Sequence, residues 1–194
     1  MNIDEIKAMS LEGESLYIMK EDEVESTIKD ETIPNEILEK SKDFIIGGLA
    51  STSVIDLENE QITRKALEKI WDHLQSLDSE YRNVFAGHDS TQIGTVLLEY
   101  KNHKSALLDE GLYLICKIRK DIPIALDTIK KIKQNELNSF SIKIGIPRPL
   151  SKNIKTVCDK DQCWSELRSA YFIELSLTDS PANPDCEGTV KILS

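Results

Sequence analysis

The chain has 194 residues, 40% of them hydrophobic and 30% charged, with a formal net charge of -10. This is the composition of an ordinary soluble protein, and the acidic balance argues against nucleic acid as a partner, because a phosphate backbone rewards clustered Lys and Arg. No apolar run approaches the roughly 20 residues that span a bilayer. The Met1-Asn2-Ile3-Asp4-Glu5 start lacks the basic and apolar stretches of a signal peptide. The expectation is a cytoplasmic protein with no membrane partner.

Residues 1–43 are acidic and weakly patterned, as in Lys20-Glu21-Asp22-Glu23-Val24-Glu25, and read as an N-terminal arm or pro-segment. One short amphipathic helix is predicted after Pro34, using Ile37 and Leu38. From Phe44 to Ser194 the chain reads as a single domain. Phe44–Ala50 is a buried-strand type of run, continuing through Val54-Ile55 towards Asp56. Thr63 caps a predicted helix to Leu77, whose Leu67, Ile70, Trp71 and Leu74 recur at helical spacing.

Short strands follow at Val84–Ala86, Ile93–Tyr100 and Gly111–Ile118, and the polar turn Lys101–Lys104 suits a hairpin or meander between the last two. Asp121 is read as the cap of a second helix, with Pro123 in its first turn and Ala125, Ile129 and Ile132 on one face. Two alternating strands close the domain, Ser139–Ile146 and Tyr171–Thr178. Many short strands with two main helices predict an α+β barrel or curved sheet with helices outside.

Four cysteines occur. Cys158 and Cys163 lie close together in what reads as a polar loop, but no His or second close pair completes a zinc site. They read as loop thiols, and neither a metal nor a cofactor is expected.

The three histidines are His73, His88 and His103. His73 falls off the apolar stripe of its helix and His103 sits between lysines in a turn, so both read as solvated. His88 follows a short apolar strand and a glycine, a place where a rigid scaffold can present an imidazole. On Ser139–Ile146, the residues Phe140, Ile142, Ile144 and Ile146 alternate onto one face, leaving Ser139, Ser141, Lys143 and Gly145 on the other. On the last strand Tyr171, Ile173, Leu175 and Leu177 share a face, with Glu174 on the polar one. Ser141 or Ser139, His88 and Glu174 form a candidate serine, base and carboxylate set.

The order of motifs resembles that of tailed-phage prohead proteases, distant relatives of the herpesvirus assemblins. The similarity runs from Gly48-Leu49-Ala50-Ser51-Thr52, Asp56 and Ile62–Leu67 through Phe85-Ala86-Gly87-His88 with Ile93-Gly94, then Glu110-Gly111-Leu112 and Phe140-Ser141. It ends in Glu174-Leu175-Ser176-Leu177 and Pro181-Ala182-Asn183-Pro184. The resemblance implies an assemblin-like β-barrel of short, mostly antiparallel strands, Ser141 as nucleophile, His88 as base and Glu174 as third member.

It further implies cleavage of scaffold protein, of capsid-protein extensions and of the chain itself, inside the immature capsid in the host cell. Scaffold and major capsid proteins would be its partners, with a homo-oligomer compatible. The family's glycine two residues beyond the nucleophile is Lys143 here, and Gly145 lies two further on. That departure keeps a second reading open, an inactive relative acting as a structural or scaffold-binding part of capsid assembly.

Overall fold

The computed structural model describes residues 43–87, 91–160 and 162–193. The acidic arm, its helix after Pro34 and His88 therefore lie outside the described residues. The first strand, β1 (Phe44–Ser51), is buried along almost its whole length, as expected of a continuous apolar run. It ends before Val54-Ile55, where Asp56 turns the chain: its Oδ1 accepts from the backbone N–H groups of Glu58 and Glu60, both at 2.9 Å.

The short strand β2 (Glu60–Ile62) leads into helix α1 (Arg64–Ser76). Thr63 caps that helix as its sequence suggested, accepting from Ala66 N at 3.2 Å while donating to Leu167 O. Strands β3 (Asn83–Ala86) and β4 (Gln92–Leu97) follow, then the small hairpin β5 (Glu99–Tyr100) and β6 (His103–Lys104), then β7 (Ala106–Leu107) and β8 (Leu112–Ile118).

Helix α2 (Pro123–Lys133) has Pro in its first turn but no side-chain cap. Asp121 does not serve as one. Its carboxylate takes both guanidinium bonds of Arg119, at 2.9 and 2.6 Å, and this partner holds it below the usual carboxylate range. The chain continues through β9 (Ser139–Gly145), the one-turn helix α3 (Leu150–Asn153), β10 (Ile154–Asp159), β11 (Gln162–Leu167), β12 (Tyr171–Thr178) and β13 (Lys191–Ile192).

The main sheet has the order β13-β1-β8-β4-β3-β12-β9, with β7 paired to β8. Among the described pairings only β3–β12 is parallel in this sheet. Its two ends are brought together by the C-terminal segment. Val190 N donates to Asn138 O beside β9, and two residues later Ile192 pairs with Ile46 of β1. Two residues span only about 7 Å of strand, so the sheet curls until its end strands nearly meet. One core fills the concave side, including Phe44, Ile46, Leu67, Ile70, Val96, Leu114, Ile129, Phe140, Phe172 and Leu175. The class is α+β.

A second, three-stranded sheet runs β10-β11-β2. It corrects the reading of Cys158 and Cys163 as loop thiols. The segment is a β-hairpin in which these two residues face each other, and they form a disulfide.

Candidate functional site

Strands β9 and β12 build the site. Their antiparallel register sets Phe140 against Leu177, Ile142 against Leu175 and Ile144 against Phe172 on the core side. The other face then carries four successive rungs: Ser139 with Thr178, Ser141 with Ser176, Lys143 with Glu174, and Gly145 with Tyr171. The register shifts between Phe172 and Glu174, where Ile173 is the extra residue. This bulge overturns the simple alternation expected of the last strand. Phe172 is buried in the core, whereas Tyr171 and Ile173, predicted to share a face with Leu175 and Leu177, are exposed.

The outer face is closed at one end and open at the other. Ser139 is 0% exposed. Its hydroxyl donates to Asn138 Oδ1 at 2.8 Å and accepts from Gly188 N at 3.0 Å, so the C-terminal segment lies over it. Ser141 is half-buried and Lys143 exposed. Ser141 is therefore the more accessible of the two serines, and the burial of Ser139 counts against it as a rival nucleophile. Its hydroxyl instead links Asn138 to the part-buried backbone N–H of Gly188.

Glu174 is half-buried and stands diagonally from Ser141, a relation that separates Cα atoms by roughly 7–8 Å. Neither the Glu174 carboxylate nor the Lys143 ammonium directly opposite bonds another described residue. The carboxylate is thus uncommitted among the described residues. Beside β12 runs β3, parallel, with Phe85 abreast of Ser176 and Ala86 of Leu177. Gly87 ends the strand with φ +61° and donates to Leu177 O at 2.7 Å. The left-handed conformation, which glycine adopts without steric cost, turns the chain off the sheet there. The chain thus leaves β3 one rung from the Ser141–Ser176 pair, and His88 is the next residue in sequence. Glu174 and Gly87 lie on opposite sides of that rung.

The Tyr171 ring lies directly on Gly145, and a Cβ built there would come within 2.1 Å of the ring. That ring also meets His73 of α1, edge-on with centroids 5.5 Å apart. His73, read as solvated, is half-buried with its Nδ1 buried and unpaired among the described residues. His103 sits at half-burial in the β5–β6 hairpin, opposite Tyr100.

Other motifs from the sequence turn out to be clamps. Thr52 Oγ1 donates to Asp185 Oδ2 at 2.9 Å and accepts from Asn183 Nδ2 at 3.1 Å. Asn183 Oδ1 in turn caps the one-turn helix after it through Asp185 N. The Ala50-Ser51-Thr52 and Pro181-Ala182-Asn183-Pro184 signatures therefore hold each other. Sequence reasoning had no signal for this, because the pairing spans 131 residues.

The remaining free cysteines offer no rival nucleophile. Burial pushes the Cys116 thiol far up, and burial with the Asp185 charge pushes Cys186 up to about 12. A thiol is reactive as its thiolate, and both are buried and protonated.

The family model for caudovirus prohead serine proteases matches residues 39–193 of the chain. Among solved structures, KSHV protease in complex with a hexapeptide phosphonate inhibitor is similar at 13% sequence identity and a TM-score of 0.44. The similarity covers 79% of this chain and 66% of that one, so the chain spans just under two thirds of that protein's length. No curated protein matches.

Proposed function

The chain belongs to the caudovirus prohead serine protease family, and from that premise we propose that Ser141 is its nucleophile, His88 its general base and Glu174 the carboxylate that orients the base. The observation that carries this reading is the opening of the outer face at Ser141. Three serines share that face; Ser139 and Ser176 are buried, and Ser141 alone of the three is partly exposed.

In the proposed mechanism the Ser141 hydroxyl attacks the scissile carbonyl as His88 takes its proton. The oxygen of the carbonyl becomes an oxyanion and a tetrahedral intermediate forms. His88 then returns the proton to the leaving amine, and water repeats the sequence on the acyl-enzyme. The Glu174 carboxylate accepts from the imidazole, fixes its tautomer and stabilises the imidazolium. Its lack of a described partner leaves it available for that bond. An extended peptide would lie along β9, the last strand of the main sheet, where strand-edge hydrogen bonds provide affinity with little sequence preference.

The substrates we propose are scaffold protein, capsid-protein extensions and the chain itself, within the immature capsid in the host cytoplasm. Residues 1–42 contain 12 Asp and Glu against 5 Lys, a net of 5 − 12 = −7 out of the −10 of the whole chain. This acidic segment is the candidate for self-cleavage. Among the described residues no helix is long and apolar enough to cross a membrane.

The test is intact-mass analysis of the wild type, Ser141→Ala and Glu174→Gln, each co-expressed with the neighbouring scaffold gene. Fragments made by the wild type and absent with Ser141→Ala establish the nucleophile. Glu174→Gln is expected to slow cleavage strongly while leaving the pattern of fragments unchanged. An uncut scaffold that still binds the wild-type chain would replace this reading with that of an inactive assembly protein.

A further inference from the structure

Beyond Ser141, the open end of the outer face is not featureless. Rungs on one face of a strand repeat every two residues, about 6.6–6.8 Å apart, and alternate side chains of an extended peptide repeat at the same interval. Two residues from Ser141 stands Lys143, exposed, on the outermost strand, and bonded to no other described residue. Four residues from Ser141 the rung is Gly145 with Tyr171, where the absent side chain makes room for an aromatic ring lying flat on the strand. Tyr171 is 40% exposed and Ile173, thrown outward by the bulge, 38%. The ring packs on Gly145 and meets His73 edge-on, so it is held in place and loses little freedom on contact.

In the other direction the face is sealed. Ser139 is wholly buried beneath Gly188, so side chains recognised on this face must lie on the Lys143 side of the scissile bond.

We propose that Lys143 and Tyr171 are specificity-determining residues: Lys143 selects an acidic side chain two residues from the scissile bond, and Tyr171 an apolar or aromatic one four residues away on the same side. Glu174 does not cancel the lysine. It lies one strand further in and forms no ion pair with it among the described residues, and in the proposed mechanism its charge is engaged by the imidazolium. Lys143 is thus a recognition element beside the nucleophile. This inference rests on the reading of Ser141 as nucleophile.

The experiment digests a proteome-derived peptide library with the full chain, with Lys143→Glu, Lys143→Arg and Tyr171→Ala, and with Ser141→Ala as blank, and maps the cut sites by mass spectrometry. Thermal melting confirms that each variant folds. Wild-type cuts are expected to be enriched in Asp and Glu at the second residue and in apolar residues at the fourth. Lys143→Arg should keep the acidic preference. Lys143→Glu should reverse it, changing the kcat/KM ratio of a matched acidic and basic peptide pair by roughly tenfold or more, since like charge then faces like. Tyr171→Ala should lose only the fourth-residue preference. Ser141-dependent cleavage without an acidic preference, or one that survives Lys143→Glu, overturns the inference and leaves the nucleophile standing. Library cleavage that persists in Ser141→Ala, or none by the wild type, overturns the nucleophile reading and this inference with it.

Discussion

The β9–β12 ladder and the β10–β11 hairpin are both antiparallel pairs, lie next to each other in the chain, and are held by opposite means. The first buries Phe140, Phe172, Leu175 and Leu177 on one face and exposes its chemistry on the other. The second buries only Leu167, is cross-linked through Cys158 and Cys163, and leans on β2 as a parallel neighbour. A strand pair anchored on one face by a core can present fixed side chains from the other. A pair without a core face holds its place by bonds at particular residues, and offers no comparable support for a reacting group.

The largest effect should separate the two regions outright. Phe140 is fully buried at the base of the ladder, and Phe140→Ala is expected to cost about 3–5 kcal/mol, from lost apolar burial and the cavity left behind. Urea unfolding would measure it. A loss below about 1 kcal/mol would mean that the ladder is not anchored as described.

A finer cut falls within the ladder, between two of its serines. Ser139→Ala removes the acceptor of a part-buried N–H and should cost about 1–1.5 kcal/mol, with cleavage retained once the protein is folded. Ser141→Ala should change stability by no more than about 0.5 kcal/mol and abolish cleavage. The two variants are expected to cross over, one losing stability and the other activity. Two serines that both lost activity without losing stability would contradict the sealed end of the face.

In the small sheet single hydrogen bonds matter more than packing. Gln61 in β2 donates to Ser53 O at 2.9 Å and accepts from Trp164 Nε1 at 3.1 Å. Gln61→Ala is expected to cost about 1 kcal/mol and to shift Trp164 fluorescence as the indole N–H turns to water. An unchanged emission spectrum would show that Trp164 is held by something else.

The same contrast explains what could be read in advance. The period-two pattern Phe140, Ile142, Ile144 exposes a strand with a core face, and β9 and β12 are found where it put them, along with both main helices. In Ile154–Leu167 there is no core face and so no alternation to detect, and the hairpin was missed. Periodicity also cannot reveal a bulge, so Tyr171 was assigned to the wrong face, and with it the seat of Gly145. Asp121 offers a local lesson: an acid before a Pro-started helix reads as a cap, but Arg119 is closer to hand. Ser139 and Ser141 are equivalent in any period-two reading, and only the return of the C-terminal segment across β9 distinguishes them. Strand faces offered Ser141 or Ser139 with Glu174 and the family resemblance chose Ser141, but the register that puts Ser141 and Glu174 on one face joins residues 33 apart, where no local pattern reaches.

The smallest expected effect belongs to Glu60, at the edge of the small sheet. Partial burial, and secondarily the charges of Asp56 and Glu58, raise its carboxyl above the ordinary glutamate value. The folded chain therefore holds this proton more tightly than the unfolded one. Its favourable contribution is fully present below the unfolded value of about 4.3 and is lost as pH rises through the raised folded value. Glu60→Gln has no such titration. The variant should match the wild type near pH 4 and become slightly the more stable by pH 7, read as a widening gap between their urea midpoints. Because Glu60 is half-exposed, solvent screening keeps the gap small. A gap that stays constant with pH would mean that the carboxylate finds its compensation in the native β2–β11 pair, and that the small sheet tolerates charge as easily as the open end of β9.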